Sequence, residues 1–447
     1  MNRMKSTFWV WVFLLLVAAV YQVVLIFWEN PTKLESADWY SKAQADTEGN
    51  MLRPDVLYFS LGGDEGSYGR LTKQDEGFEG IFLNTYELLS HVLKHGSMQM
   101  ESIEGLPWDK EACVFSFGFA IESFVIKEQI GLEKEPEEGN WSEIWVLPAR
   151  SSREKAGVYL LDRQSQRCLK MEAQAWEREE NQQLLEQLLQ QGSARNKSYL
   201  AMGKVWKQPQ LAGDFVLETS NYESINGTKA ELIFQIGQKL NPIQAKKYAL
   251  EFFQYPDTVT VREEATQLLF TNEKVTVKVD ETGFLQYVET LTDEEKNDVG
   301  MKEAYQLAVG FVKEDLNWVA SKGLDFSFAG YEIQKDGYVF YFTYLIDSIP
   351  FCMDSIMAET LRMEYPIRVT VEGSRVRRYE RYVLEFSRDT EQNYALTKTW
   401  QDVLDEMATL GWEPEGIPKL NYRFSNYKLT LYWETKIKEG NARIKAY

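Results

Sequence analysis

The run FWVWVFLLLVAAVYQVVLIFW, residues 8–28, constrains this chain more than any other stretch. It carries no charge, and Gln22 is its one strongly polar side chain. A helix rises about 1.5 Å per residue, so a run of this length matches the roughly 30 Å hydrocarbon core of a bilayer. Trp9, Trp11 and Trp28 stand near its two ends, where indole rings favour the interface. Arg3 and Lys5 precede the run, and Glu29, Glu35 and Asp38 follow it with a single Lys33. That asymmetry predicts a cytoplasmic tail over 1–7, a transmembrane helix over 8–28 and the rest of the chain outside, a single-pass protein of the cell membrane. A cleaved leader would have an apolar core of about 7–15 residues and a small-residue cleavage site. Here the run closes on Trp28 and no small-x-small pattern follows promptly, so the reading is an uncleaved anchor.

A lone amide in hydrocarbon is costly unless something accepts its hydrogen bonds. Trp11, Leu15, Ala18, Gln22 and Leu25 recur at 4-3-4-3 spacing and share one helical face. Ala18 and Gln22, flanked by Leu15 and Leu25, are the candidate partner-binding residues: Ala18 permits close approach and Gln22 an interhelical hydrogen bond. The alternative stays open that Gln22 bonds within its own helix or lies near the outer leaflet.

The 447 residues are about three domains' worth. With 44% hydrophobic and 14% aromatic residues there is material for packed cores. Net charge is −19, so phosphate backbones and anionic head groups repel the chain, and nucleic acid is disfavoured as a partner. Residues 29–50 read as a polar spacer. Residues 51–205 read as an N-terminal α+β domain. DVLYFSL, EIWVLP and GVYLLD suit strands there. TYELLSHVLKHG suits an amphipathic helix closed by Gly96. MEAQAWEREENQQLLEQLLQQG suits a second helix, with Leu184, Leu185, Leu188 and Leu189 on one side.

From about residue 211 the chain repeats itself weakly. A middle module over 206–295 has helix NPIQAKKYALEFF, with Asn241 as N-cap and Pro242 at the first helical position, then the hairpin KVTVKVDETGFLQYVET. A C-terminal module over 296–447 has helix MKEAYQLAVGFVKEDL, strand GYVFYFTYL and hairpin IRVTVEGSRVRRYERYVLEF. Helix TKTWQDVLDEMATLG and a closing hairpin with KLTLYWETKI follow. The predicted class is α+β: antiparallel sheets, each packed by helices, behind one membrane helix.

The search for chemistry yields little. VLYFSLGGDEGSYGRL, residues 56–71, holds four glycines in eight positions. It lacks the Gly-Lys-Ser/Thr of a phosphate loop, and Asp64 and Glu65 would repel phosphate. Ser67 is not flanked as a nucleophile elbow requires, because Glu65 stands where glycine is needed. The stretch reads as an acidic turn after a strand. His91 and His95, the only histidines, share a helical face, but Val92 stands where a zinc protease needs glutamate. Cys113, Cys168 and Cys352 form no CxxC pair, which excludes a zinc ribbon or thioredoxin motif. They read as buried small hydrophobes, with a Cys113–Cys168 disulfide as the alternative. Sixty-eight acidic residues nominate no particular catalytic pair. No catalytic, cofactor or metal residue is assigned, and the expectation is a protein that is not an enzyme.

Four phrases resemble the YycH-type regulatory proteins of Gram-positive bacteria and their smaller YycI-type relatives. They are the N-terminal anchor with a large outer part, LPWDKEACVFSFGFAIESFV, FFQYPDTVTVREEATQLLFTNEKVTVKVDETGFLQYVET, and YVFYFTYLIDSIPF followed by IRVTVEGSRVRRYERYVLEF. The match covers most of residues 51–435. The spacer at 29–50 and the Gly-rich turn depart from the pattern. The resemblance implies an accessory protein that adjusts a WalK-type sensor histidine kinase through its membrane helix and outer domains, beside a YycI-type single-span partner. The rival readings are an extracytoplasmic cell-wall hydrolase using unnamed carboxylates and a protein that binds wall fragments.

Overall fold

The computed structural model describes residues 49–447 except 64–66, 195–198, 206–213, 218–226, 233–241, 282, 291–298, 321–323, 347–348, 354–357, 360–361, 384–385, 395–397, 415, 426–427, 438–439 and 446–447. Leu15, Ala18, Gln22 and Leu25 lie outside the described residues, as does Asn241. Among the described residues no helix is long and apolar enough to cross a membrane.

Two large sheets organise the chain, an α+β arrangement. The first uses β1 (Val56–Leu61), β2 (Ser67–Thr72), β3 (Ser97–Ser102), β4 (Glu111–Glu122), β5 (Asn140–Leu147), β6 (Ala156–Asp162), β7 (Arg167–Ala173), β8 (Tyr199–Ala201) and β9 (Phe215–Leu217). Their order is β3-β7-β6-β5-β4-β1-β2-β8-β9. Helices α1 (Phe78–His95) and α3 (Glu179–Ala194) pack on each other and on this sheet. Between them in sequence comes α2 (Ser123–Ile130), and α4 (Met202–Val205) follows. Both faces of this sheet are apolar. Leu57, Phe59, Cys113 and Phe115 face the helices, while Tyr68, Val114, Trp145 and Cys168 belong to a separate cluster.

Of the Gly-rich stretch, β1 ends at Leu61 and β2 begins at Ser67, and residues 64–66 lie outside the described residues. Ser67, Tyr68 and Gly69 already belong to β2, and Gly69 sits opposite Phe59 of β1. A Cβ there would fall 2.1 Å from the Phe59 ring, so the glycine makes room for an aromatic laid across the neighbouring strand. The second helix begins later than its composition suggests. MEA lies in β7, where Leu169, Met171 and Ala173 are buried by alternation and the strand pairs with both β6 and β3. Sheet pairing overrides the helix propensity of that segment. In α3, Leu184 and Leu188 are buried, whereas Leu189 is 61% exposed and lies off the packed face.

The second sheet draws strands from both later modules. The elements are β10 (Gly227–Leu232), α5 (Pro242–Leu250), β11 (Thr260–Glu263), β12 (Gln267–Thr271), β13 (Val275–Asp280), β14 (Phe284–Glu289), α6 (Met301–Ala320), β15 (Leu324–Gln334), β16 (Gly337–Ile346) and β17 (Ile349–Cys352). Then come β18 (Ile367–Glu372), β19 (Arg375–Tyr382), β20 (Phe386–Tyr394), α7 (Trp400–Thr409), β21 (Lys419–Ser425), β22 (Lys428–Ile437) and β23 (Gly440–Lys445). The path is β11-β12-β13-β14-β19-β18-β16-β17-β21-β22-β23, with β15 on the other edge of β16 and β10 paired with β20 apart. The two hairpins that mirror each other in sequence, β13–β14 and β18–β19, are neighbours through β14 and β19.

Alternation sets the inner face: Phe270, Val277, Val279, Leu285, Tyr287, Phe340, Phe342, Val369 and Tyr379 are buried. Met301, Ala304, Tyr305, Ala308, Val312 and Asp315, at helical spacing along α6, are buried beside them. Burying one large apolar side chain contributes about 1.5–3 kcal/mol, so this inner face is the main source of stability in the second body. Helix α7 starts with a capping box, Thr399 and Asp402 bonding reciprocally, and buries Trp400, Val403 and Met407. Leu410 is 53% exposed, because the helix ends at Thr409.

Contacts tie the two bodies together. Phe119 of β4 meets Phe328 of β15 edge-on at 4.6 Å, and the Tyr331 hydroxyl donates to the Glu122 carboxylate at 3.2 Å. Lys73 pairs with Asp55 at 2.5 Å, and Ser327 donates to Asp55. Asp214 accepts from Arg163 at 3.0 Å and pairs with Lys419 at 3.3 Å.

Candidate functional site

One face of the second sheet is covered by helices, and its opposite face carries a polar groove of about 420 Å³. Strand register builds it in rows. Glu332 of β15 lies opposite Val339 of β16, Val339 opposite Thr370 of β18, and Thr370 opposite Arg378 of β19. Adjacent strands are about 4.8 Å apart, so three steps place the Cα atoms of Glu332 and Arg378 about 14 Å apart, across a floor of Val339 and Thr370.

The flanking row is internally satisfied. Tyr341 lies opposite Arg368, Arg368 opposite Glu380, and Glu380 opposite Gln286. Arg368 bonds Glu380 through Nε at 2.6 Å, and Gln286 donates to the other carboxylate oxygen at 2.8 Å. On the other flank Gly337 sits beside Glu372, and a Cβ there would fall 2.0 Å from the Val371 carbonyl oxygen, so only glycine lets the strands close.

A β-bulge gives the groove its positive end. The register slips between Thr370 and Val371, so Val371 pairs with Val376 and Thr370 with Arg378. Regular alternation would send Arg377 and Arg378 to opposite faces, and the extra residue brings both to the groove. Arg377 has only a loose pairing with Glu372 at 3.8 Å, and its Nη1 is buried without a hydrogen-bond partner among the described residues. Arg378 is exposed and has no ion pair or hydrogen bond among the described residues. At the other end Glu332 is exposed and accepts a hydrogen bond from Tyr341, whose hydroxyl burial and the nearby carboxylate push above its ordinary pKa.

Beneath the same strands, on the inner face, lies a buried ion pair. Arg381 meets Asp315 of α6 through Nε at 2.6 Å and Nη2 at 3.3 Å, and Tyr379 donates to Asp315 at 2.6 Å. Both charged side chains are 1% exposed. Burial holds the Asp315 carboxyl above the usual range, with Arg381 and Tyr379 pulling it back. With its charges paired to each other and shut from solvent, this cluster is structural.

Other groups singled out in the sequence take structural places. His91 and His95 share a face of α1 with ring centroids 4.9 Å apart. His91 donates Nε2–H to the Gln174 carbonyl at 2.9 Å, which fixes its tautomer. Among the described residues no group of three metal-ligating side chains is assembled. The cysteines are unpaired, with Cys113 and Cys168 in clusters on opposite faces of the first sheet. Burial pushes both thiols up to about 12 and Cys352 up to about 11.

The groove was not assigned from sequence, although a signal exists. In IRVTVEGSRVRRYERY the adjacent pair Arg377–Arg378 breaks an otherwise alternating strand, which marks a bulge. The partner end at Glu332 lies 46 positions earlier and is placed only by the pairing of β15 with β16.

No family model matches the sequence, and no curated protein matches it. Among solved structures the chain is similar to the crystal structure of YycH from Bacillus subtilis, with a TM-score of 0.46 and 11% identity over 89% of this chain and 96% of that one. A likeness at that score says nothing of what this chain does.

Proposed function

We propose that the chain is a membrane-anchored, extracytoplasmic accessory protein that modulates a cell-wall sensor histidine kinase. The reading rests on the charge-free run at 8–28 and on the phrases that resemble YycH-type regulators. The observation that carries it is where those phrases lie. Two of the four, separated in sequence, form β11 to β14 and β16 to β19, eight strands that are contiguous in one sheet, while LPWDKEACVFSFGFAIESFV forms β4 of the first sheet. Most of the resemblance thus gathers in the second sheet.

The mechanism is differential packing of the membrane helix. A ligand or partner shifts a two-state kinase only by the difference of its affinities for the two states. Leu15, Ala18, Gln22 and Leu25 offer a face on which a close helix–helix contact forms in one state and not the other. A YycI-type single-span protein is the natural third member. Exchanging residues 8–28 for an unrelated membrane helix should abolish regulation of kinase autophosphorylation in reconstituted membranes. Full regulation by the exchanged chain would rule the helix mechanism out.

A further inference from the structure

We propose that the groove on the open face of the second sheet binds a short zwitterionic peptide, three or four residues long, with both termini free. The argument stands on the groove alone and does not need the kinase reading. The ionic inventory divides into two parts. Arg368 and Glu380 neutralise each other, with Gln286 completing the carboxylate. What is left is opposed: Arg378 at one end, beside an Arg377 that Glu372 holds only loosely at 3.8 Å, and Glu332 at the other. An anion alone would leave the carboxylate end unmatched, and a cation alone would leave the guanidinium end unmatched.

The spacing selects the length. Three inter-strand steps separate Glu332 from Arg378 by about 14 Å, and a hydrogen bond of about 3 Å at each end leaves roughly 8–14 Å for the ligand's own charges. An extended chain covers about 3.3–3.6 Å per residue, which gives three or four residues. Between the charged ends the row is neutral: Val339 and then Thr370, which offers a hydroxyl, while Gln334 offers an amide beside Glu332 on β15. Peptide groups are what such a middle suits. The buried Nη1 of Arg377, without a partner among the described residues, is a donor awaiting an acceptor. The volume of about 420 Å³ lies within the range of small-ligand sites.

The test is calorimetric titration of the full chain in detergent micelles with trialanine bearing free termini. N-acetyl-trialanine, trialanine amide and the doubly capped peptide are titrated beside it. Each single cap should weaken binding about tenfold, because it removes one charge-assisted contact. In Arg378→Gln the penalty of the amide cap should shrink, with Arg377 still present, while that of the acetyl cap is unchanged; in Glu332→Gln the acetyl cap should cease to matter while the amide cap keeps its full penalty. Both side chains are exposed, so the variants should melt as the parent does. No binding of the free peptide, or equal binding of the doubly capped one, would overturn the proposal. So would inorganic phosphate competing as well as the peptide, which would make the site a simple anion site.

Discussion

Arg381→Met cuts one buried charge from its partner while keeping much of the side-chain volume. In the folded protein the guanidinium holds both oxygens of Asp315, at 2.6 and 3.3 Å, with each side chain 1% exposed. The variant leaves Asp315 with only the Tyr379 hydroxyl. Breaking a buried pair from one side costs about 3–5 kcal/mol. For a body of some 200 residues that is a fall in Tm of roughly 6–20 °C. The cost should also depend on pH. Asp315 already sits above the usual carboxylate range because of burial, and losing Arg381 removes the largest influence pulling it down. Its folded pKa then rises further, so between about pH 4 and that value the folded state binds one more proton than the unfolded. Stability there falls by about 1.4 kcal/mol per pH unit as pH rises, and the defect should be larger at pH 8 than at pH 5. Thermal unfolding followed by tryptophan fluorescence, at both pH values, reads this out. The triple variant Asp315→Leu, Tyr379→Phe, Arg381→Met should recover most of the loss, because a matched apolar replacement leaves no stranded charge. A single variant within about 1 kcal/mol of the parent at both pH values would refute the reasoning.

Gly69→Ala should destabilise by about 1–3 kcal/mol, since its Cβ would meet the Phe59 ring at 2.1 Å; unchanged urea unfolding would contradict the close packing. Thr399→Ala should cost about 0.5–2 kcal/mol through loss of the cap on α7. The Asp402 carboxyl is held below its usual range by the Thr399 backbone and hydroxyl, so the cap's contribution is present above the unfolded carboxylate pKa and fades as pH falls through the folded one; a cap effect equal at pH 2 and pH 7 would count against the box. Cys113, buried and pushed up to about 12, should resist alkylation at pH 8 in the native protein and react only when urea unfolds it; native labelling at the unfolded rate would deny its burial.

Local patterns in the sequence carried much of the architecture. The alternating valines of β13 and the apolar spacing of α6 mark their buried faces directly. Segments failed where a long-range partner decided the outcome. MEA at 171–173 reads as helix alone, yet strands on both sides hold it extended. Leu189 follows the leucine pattern of α3 but falls beyond the packed face. The groove was legible only in half: two adjacent arginines betray the bulge, whereas Glu332 joins them through a pairing that no short-range rule contains. Asp315 and Arg381 are likewise 66 positions apart, and only the packing of α6 on β19 reveals that the inward-facing arginine has a partner.

The central claim is that the membrane helix meets a kinase. A photoreactive residue at position 22, in the full chain within native membranes, tests it most directly. The account predicts that irradiation captures a sensor histidine kinase or a second single-span protein, and that moving the probe to the opposite helix face abolishes capture. Capture of neither, in a chain whose outer body remains folded, would contradict it.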